Sequence, residues 1–92
     1  MSEYMEIEPE PTDDPDVMRF STNLRLSDEA VETYASLEEM EEGSALAQML
    51  AAIDGILECR IEGRQMLIRR DPLVEWHDLI ADVAAAVKEF FL

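Results

Sequence analysis

The side chains with the most reactive chemistry in this sequence are one thiol, Cys59, and one imidazole, His77. A catalytic cysteine needs a base within hydrogen-bonding reach and a positive environment that favours the thiolate. Cys59 instead alternates with Leu57 and Ile61 along a predicted strand, which places all three on one apolar face. His77 lies at the edge of the apolar stripe of a predicted helix, as an ordinary boundary residue would. We therefore predict a buried, inert thiol, no catalytic residue and no enzyme activity.

Metal binding would require more ligands than the sequence brings together. Zinc sites use four Cys or His ligands, or three with a water molecule, and iron–sulfur clusters normally use four cysteines. The acidic run of Asp13, Asp14 and Asp16 contains a proline and lacks the glycine and glutamate positions of a calcium loop. Glu8 and Glu10 form a pair of carboxylates, but no pocket is indicated around them. We predict that the chain has no metal site and no cofactor.

The chain is strongly acidic, with 22 acidic against 7 basic residues and a formal net charge of −15. Affinity for nucleic acid depends largely on Lys and Arg side chains that neutralise phosphates, so this charge argues against a nucleic-acid partner, and equally against anionic membranes. A single cysteine cannot form an intramolecular disulfide, which favours a reducing compartment. No apolar run approaches the roughly 20 residues of a membrane span. We expect a cytoplasmic protein that binds another protein, with an oligomeric state that the sequence leaves open.

The centre of the chain, residues 44–70, predicts a helix followed by a β-hairpin. Ser44 is placed to cap the helix, Asp54-Gly55 to end it, and Glu62-Gly63-Arg64 to form the hairpin turn. Apolar side chains recur first at helical and then at alternating spacing. This pattern predicts a core that includes Leu46, Leu50, Ile53, Leu57 and Ile61.

The flanking segments supply two more strands and a second helix. Alternation predicts an edge strand over Tyr4–Glu8 and a strand over Val17–Phe20, joined by a proline-rich loop from Glu8 to Asp16. Residues 28–43 are expected to be either a short helix after a Ser36/Glu39 capping box or a loosely ordered acidic connection. The last helix is expected to begin with Asp71 as its N-cap and Pro72 at its first helical position. Its apolar stripe consists of Leu73, Trp76, Leu79, Ile80, Val83, Val87 and Phe90.

These elements predict one α+β domain over residues 1–92. Their order is strand, strand, helix, strand, strand, helix, which gives a two-layer sandwich. In this fold, a small four-stranded antiparallel sheet carries the two main helices on one face.

Several segments, in order along the chain, resemble the N-terminal domain of Nfu/NifU-type iron–sulfur scaffold proteins. The family pattern E-P-T-P-N-P-N-x-L-K-F is similar to residues 10–20, and its pattern S-P-L-A-x-x-L-F-x-I-x-G-V is similar to residues 44–56. Gln65-Met66-Leu67-Ile68 stands where the family has F-I-T-V, and Trp76 matches its tryptophan. The departures from the pattern are Asp13, Asp14, Asp16 and Ala45, of which the aspartates make the loop more acidic.

The resemblance implies a place in iron–sulfur cluster assembly or delivery. In the family, a second domain with a Cys-x-x-Cys pair holds the cluster, and these 92 residues contain no such pair. The leading hypothesis is therefore a stand-alone, non-catalytic interaction domain that binds cluster-assembly or client proteins. One alternative is an iron- or cluster-binding protein that uses Cys59 and carboxylates across a dimer. Another is an acidic regulatory adaptor, unrelated to iron, that docks a basic partner through Glu38–Glu42.

The candidate interaction surface is the proline-rich acidic loop beside the second predicted strand. Loops held by a rigid scaffold are common recognition sites. The same prolines also suit a purely structural role, in which they direct the chain between two strands. The candidate residues are Glu10, Pro11, Thr12, Asp14, Pro15, Asp16 and Arg19.

Overall fold

A computed structural model describes residues 6–27 and 30–91, which form five strands and three helices around one core. In chain order these are β1 (Ile7–Pro11), β2 (Val17–Thr22), β3 (Glu32–Tyr34), α1 (Leu37–Glu41), α2 (Ala45–Ala51), β4 (Ile56–Glu62), β5 (Gln65–Arg70) and α3 (Trp76–Phe90). The strands pair antiparallel in the order β1-β2-β5-β4-β3. The predicted α+β class is confirmed. Within the described residues, however, the sheet has five strands instead of four, and there are three helices instead of two.

One face of the sheet, the covered face, packs against the helices and forms the core. Residues opposite one another on neighbouring strands point to the same face. Two adjacent cross-strand rows of buried side chains, Met18–Ile68–Cys59 and Phe20–Met66–Ile61, line this face. The helices bury Met40, Leu46, Ala47, Leu50, Leu79, Val83 and Val87 against these rows. The opposite face, the open face, carries the intervening row of Arg19, Leu67 and Arg60.

Strand β3 is the element that the sequence pattern does not reveal. It has only three residues, and the two that face the covered side are Glu32 and Tyr34, so no apolar alternation marks it. Hydrogen bonds to each other and to residues outside the strand stabilise these two side chains. The Tyr34 hydroxyl donates to the Glu32 carboxylate at 2.5 Å and accepts from the backbone N–H of Ser44 at 3.2 Å. The Ser27 hydroxyl also donates to Glu32.

Glu32 remains charged in this partly enclosed position. Partial burial alone would raise the pKa of Glu32, but hydrogen bonds from Ser27, Tyr34 and Ser44 outweigh that effect and lower it. The carboxylate therefore ties β3 to the start of α2 as an anion.

The segment between β3 and α2 contains the helix α1, in agreement with the predicted alternative of a short helix after the capping box. The Ser36 hydroxyl accepts from the N–H of Glu39 at 3.2 Å, and the Glu39 carboxylate accepts from the N–H of Ala35 at 2.9 Å. These two bonds confirm the predicted capping box, which begins α1. Ser44 caps α2 as predicted, since its hydroxyl accepts from the N–H of Ala47 at 3.3 Å. Residues 28 and 29 lie outside the described ranges.

The first strand lies further along the chain than predicted. Strand β1 runs over Ile7–Pro11, so residues 9–11 belong to a strand and not to a loop, while Tyr4 and Met5 lie outside the described residues. Among the described strands, β1 pairs only with β2, which confirms the predicted edge position. Pro9 and Pro11 are two residues apart, so both direct their ring nitrogens to the same, unpaired side of the strand. An edge strand accommodates them because that side needs no donor.

A break in register at the start of β4 moves Leu57 out of the core. The pairing with β5 shifts between Ile56 and Glu58, and a bulge of this kind interrupts the strict alternation of side chains. As a result, Ile56 is fully buried and Leu57 is 40% exposed. The prediction of Leu57 as a core residue is therefore wrong. The other predicted core residues, Leu46, Leu50, Ile53 and Ile61, are buried or, for Ile53, partly buried.

The last helix begins at Trp76, later than predicted, because Asp71 and Pro72 form a separate turn. The Asp71 carboxylate accepts from the N–H of Leu73 at 3.0 Å, and its carbonyl accepts from the N–H of Val74 at 2.9 Å. Asp71 thus caps a turn and not a helix. Leu73 is 92% exposed, so its assignment to the apolar stripe is wrong. The rest of the stripe is buried or partly buried as predicted: Trp76, Leu79, Ile80, Val83, Val87 and Phe90.

Candidate functional site

The loop between β1 and β2, residues 12–16, has its own internal hydrogen bonds. The Thr12 hydroxyl lies 2.9 Å from the carbonyl oxygen of Val17, to which it donates, and it accepts from the N–H of Asp14 at 3.2 Å. The Asp14 carboxylate accepts from the N–H of Asp16 at 2.9 Å, and its carbonyl accepts from the N–H of Val17 at 3.0 Å. Short polar side chains that bond to nearby backbone groups favour a defined turn. The loop therefore has a defined conformation of its own.

A second set of contacts fastens this loop to the end of β5 and the start of α3. Arg69 donates to the Asp14 carboxylate at 3.1 Å, and the Arg70 side chain donates to the Asp16 carboxylate at 3.2 Å. The Arg70 backbone N–H also donates to the Asp16 carbonyl at 2.8 Å. These bonds join residues more than fifty positions apart in the sequence. The loop is therefore held by the sheet as well as by its own turn.

Trp76 forms a further contact between the loop at residues 12–16 and the rest of the fold. Its indole Nε1–H donates to the carbonyl oxygen of Pro15 at 2.8 Å. The guanidinium carbon of Arg70 lies 5.2 Å from the centroid of the Trp76 ring, within the range of a cation–π contact. Trp76 also packs against the buried ring of Phe20, with 6.5 Å between centroids. One aromatic side chain thus links the loop, an arginine and the core.

The electrostatics of the loop follow from these bonds. The backbone N–H of Asp16 and the guanidinium of Arg69 lower the pKa of Asp14, despite some desolvation that acts in the opposite direction. Asp14 is therefore a carboxylate at neutral pH, and it is already paired with Arg69. The charges of Asp14 and Asp16 serve to hold the loop in place, which leaves the exposed Pro15 and Asp13 as the side chains it presents outward.

The structure places the seven candidate residues in two neighbouring groups. Thr12, Asp14, Pro15 and Asp16 lie in the loop, and Pro11 ends β1 beside it. Glu10 and Arg19 lie opposite each other on β1 and β2, on the open face, with 4.0 Å between Oε1 and Nη1. The sequence analysis did not assign Arg69, Arg70 or Trp76 to this site. The sequence signal that could have identified Arg69 and Arg70 is that two arginines stand side by side at a strand end, in a chain with only seven basic residues.

The two residues with reactive side chains belong to β4 and α3 and not to this loop. Cys59 is 2% exposed on the covered face of β4, as predicted, and burial together with the charge of Glu32 raises its pKa to about 12. His77 lies exposed in the first turn of α3. Within residues 6–27 and 30–91, no group of three or more His, Cys, Asp or Glu side chains is arranged to hold a metal ion. In the same residues, none of the helices has the length and apolar character needed to cross a bilayer.

Comparison with known proteins identifies a family and solved structures with a similar fold. The family model for the N-terminal domain of scaffold protein Nfu/NifU matches residues 7–92. No curated protein sequence matches the chain. The crystal structure of protein SAV1430 from Staphylococcus aureus has a TM-score of 0.72 at 12% identity, over 89% of this chain and 98% of that one. The solution structure of SeR13 from Staphylococcus epidermidis has a TM-score of 0.58 at 18% identity, over 91% of this chain and 96% of that one. At these identities the two structures support the fold alone.

Proposed function

Since this chain belongs to the family of Nfu/NifU scaffold N-terminal domains, we propose that it is a non-catalytic interaction domain in iron–sulfur cluster assembly or delivery. The family links the chain to cluster scaffolding and is not a known catalytic family. The proposal adds that the partner is a cluster-assembly or client protein, that binding takes place in the cytoplasm, and that this domain does not itself hold the cluster. The observation that carries it is the match of the family model to residues 7–92, and the attachment of the loop at residues 12–16 supports a role in binding.

A loop held in this way is suited to binding another protein. Ordering a flexible loop on binding costs free energy, and a loop that is already ordered avoids most of that cost. Here the turn of Thr12 and Asp14, the two arginine contacts and the Trp76 bond all fix the loop before any partner arrives. In the proposed surface, Thr12, Asp14 and Asp16 hold the loop in shape, and the side chains offered to the partner are those of Glu10, Pro11, Pro15 and Arg19.

The proposal that the domain does not hold the cluster rests on the position of Cys59. An iron–sulfur cluster needs thiolate ligands, and the raised pKa keeps this thiol protonated at neutral pH. The side chain also points into the core, where a second copy of the chain could not reach it without unfolding of the helical layer. The alternative in which Cys59 coordinates iron across a dimer is disfavoured on both grounds. Reconstitution with iron and sulfide tests it directly, and visible absorbance that is lost in Cys59→Ser would support it.

The proposed function can be tested by affinity capture from an extract of the source cells, with two matched variants. Glu10→Lys changes the proposed contact surface, whereas Glu41→Lys makes the same charge change on an exposed position of α1. We expect iron–sulfur assembly or client proteins to be recovered with the unmodified chain and with Glu41→Lys, and their recovery to fall roughly tenfold with Glu10→Lys, which corresponds to about 1.4 kcal/mol. Recovery of no such protein would contradict the proposal.

The same pair of variants separates this proposal from the acidic-adaptor alternative. If a basic partner docks through Glu38–Glu42, Glu41→Lys should weaken capture more than Glu10→Lys does. Such binding should also weaken steeply as salt is added, because exposed charges are screened.

A further inference from the structure

Strand β3 forms an edge of the sheet that is open to further pairing. Among the described strands it pairs only with β4, whereas β1, at the other edge, directs Pro9 and Pro11 to its outward side. A proline has no N–H to donate, so the β1 edge cannot continue a regular ladder. β3 contains neither proline nor lysine. The two edges of the sheet therefore differ in their capacity to accept another strand.

The register of the sheet shows which backbone groups of β3 point outward. Glu62 and Gln65 flank the two-residue hairpin turn, which makes them a hydrogen-bonded pair. The backbone groups of successive residues in a strand point to opposite sides, so those of Ile61 face β3, where its partner is Glu32. The next residue, Thr33, therefore directs its N–H and its C=O away from β4, to the outward side of the edge.

Two adjoining depressions lie beside this edge. The first, of about 410 Å³, lies along β3. The second, of about 310 Å³, is lined by the apolar side chains of Leu26, Leu46 and Phe90. Glu32 and Ser44 line both of them. Because side chains alternate between the two faces of a sheet, a strand added beside β3 would direct every second side chain toward this space.

The chemistry of the space favours a basic side chain. Glu32 is held as an anion by hydrogen bonds from Ser27, Tyr34 and Ser44, which are all uncharged. Within residues 6–27 and 30–91, no arginine or lysine forms an ion pair with it. Its negative charge is therefore available to a cation, and the apolar walls suit the aliphatic stem of an arginine or lysine.

We propose that the free edge of β3 accepts an extended, basic segment of a partner protein as a sixth strand, with an arginine or lysine of that segment beside Glu32. In an antiparallel arrangement, one residue of the segment forms two backbone hydrogen bonds with Thr33, and the residue after it lies opposite Glu32 and carries the basic side chain. A second copy of this chain is disfavoured as the occupant, because each copy has a formal net charge of −15.

This binding edge is separate from the loop at residues 12–16. The loop follows β1, and β1 and β3 are the two opposite edges of the sheet. The inference goes beyond the proposed function and does not depend on it.

A defined peptide tests the inference without the natural partner. The ¹⁵N-labelled chain would be titrated with an acetylated, amidated peptide that contains Thr-Val-Thr-Arg-Val-Thr, while its amide NMR signals are followed. One control peptide has citrulline, which is neutral and similar in shape, in place of the arginine. A second has an N-methyl group on the threonine before the arginine, which removes the N–H that would donate to Thr33.

We expect the parent peptide to shift the signals of β3 and β4 and to protect the amide hydrogen of Thr33 from exchange. Each control peptide should bind roughly tenfold more weakly, because one lacks the charge and the other lacks a backbone donor.

Two pairs of variants provide the matched comparison in the protein. Thr33→Pro removes the outward N–H and leaves the pairing with β4 in place, as Pro9 and Pro11 do in β1, whereas Thr33→Ala keeps the N–H. Glu32→Gln removes the charge, and Glu8→Gln makes the same change on an exposed position of β1. We expect Thr33→Pro and Glu32→Gln to weaken binding roughly tenfold, and the two controls to change it less than about twofold.

The spectrum of each variant shows whether it is folded, and if Thr33→Pro is not, the N-methyl peptide tests the same hydrogen bond. An absence of shifts with the parent peptide, shifts confined to other surfaces, undiminished binding of the N-methyl peptide, or equal weakening by Glu32→Gln and Glu8→Gln would overturn the inference. Shifts of β3 that depend on protein concentration alone would assign the edge to a second copy and overturn it too. None of these results would contradict the proposed role in cluster assembly, because that proposal is tested by capture of the natural partner.

Discussion

Cys59 shows how the environment of a side chain decides its chemistry. As an exposed thiol it would be a nucleophile or a metal ligand. On the covered face of β4 it packs with Met18 and Ile68 in one cross-strand row, beneath the helices. The loss of water and the nearby charge of Glu32 both disfavour the thiolate, so the side chain behaves as a small apolar group.

We predict that Cys59 is unreactive in the folded protein. With a thiol-specific reagent such as Ellman's reagent at about pH 8, the native chain should react far more slowly than the chain unfolded in guanidinium, because only an exposed thiolate attacks the reagent. Cys59→Ser supplies the blank. Rapid reaction of the native chain would show that the thiol is accessible and would reopen the iron-binding alternative.

We also predict that the ionisation of Cys59 lowers the free energy of unfolding at high pH. Its pKa is about 12 in the folded protein against an ordinary value of 9.0, so above pH 9 the unfolded chain binds fewer protons than the folded one. Stability from this group is therefore complete below about pH 9 and falls as pH rises toward 12. Chemical unfolding at a series of pH values measures this, and Cys59→Ala should remove that part of the decline. An identical decline in Cys59→Ala would contradict the assignment.

The attachment of the loop at residues 12–16 depends on the start of α3. Because α3 begins at Trp76, the indole lies directly beside Pro15 and Arg70. The turn formed by Asp71 sets this starting point. It is joined to the α2–β4 connection by a 2.7 Å bond from the Asp71 N–H to the carbonyl of Gly55. Gly55 has a φ of 104° and lies against Val74, so a larger residue there would be strained and would displace the turn.

Trp76→Phe should loosen the loop while leaving the fold intact. Phenylalanine keeps an aromatic ring against Phe20 but lacks the N–H that donates to Pro15. We expect the free energy of unfolding to fall by about 1 kcal/mol. The amide hydrogens of Asp16 and Val17, which bond within the loop, should exchange faster. The control is Phe91→Leu, which changes a partly exposed ring at the end of α3 and should leave the exchange of these amides unaltered. Unchanged exchange in Trp76→Phe would show that the indole bond does not hold the loop.

Local sequence patterns predicted several elements correctly, and each incorrect prediction has an identifiable cause. The alternation of Met18 and Phe20, the caps of α1 and α2, and the hairpin turn at Gly63 involve residues close together in sequence, and all were predicted. Leu57 was misplaced because a bulge breaks the alternation after Ile56. The start of α3 was misplaced because an aspartate followed by proline suits a turn as well as a helix cap. Strand β3 was missed because its inward side chains are polar and depend on partners at Ser27 and Ser44.

The charge of the whole molecule opposes its compact state. A formal net charge of −15 on 92 residues produces self-repulsion, and ion pairs such as Arg60–Glu62 and Arg69–Asp14 are at least partly exposed. Salt screens interactions between exposed charges beyond about 10 Å at 0.1 M. The long-range repulsion is therefore screened more than the short contacts, and added salt should stabilise the fold.

We expect the melting temperature to rise by about 5 °C or more when NaCl is increased from about 20 mM to about 0.5 M at neutral pH. Thermal unfolding followed by circular dichroism measures this. The same series at about pH 4.5, where many carboxylates are protonated, serves as a control and should show a smaller rise. A fall in melting temperature with salt at neutral pH would mean that the exposed ion pairs outweigh the repulsion.

Local sequence was enough to establish the α+β class, the family, the hairpin, the covered face of β2 and the burial of Cys59. The family followed from the resemblance of several segments to its sequence pattern. The other features depend on spacing, caps and turn residues, which act over a few positions along the chain. Only the tertiary structure revealed that Arg69, Arg70 and Trp76 hold the proline-rich loop, and that β3 pairs with β4 at the edge of the sheet opposite β1. Those arrangements depend on strand order and register, which bring together residues far apart in the sequence, and no local pattern records which distant residues become neighbours.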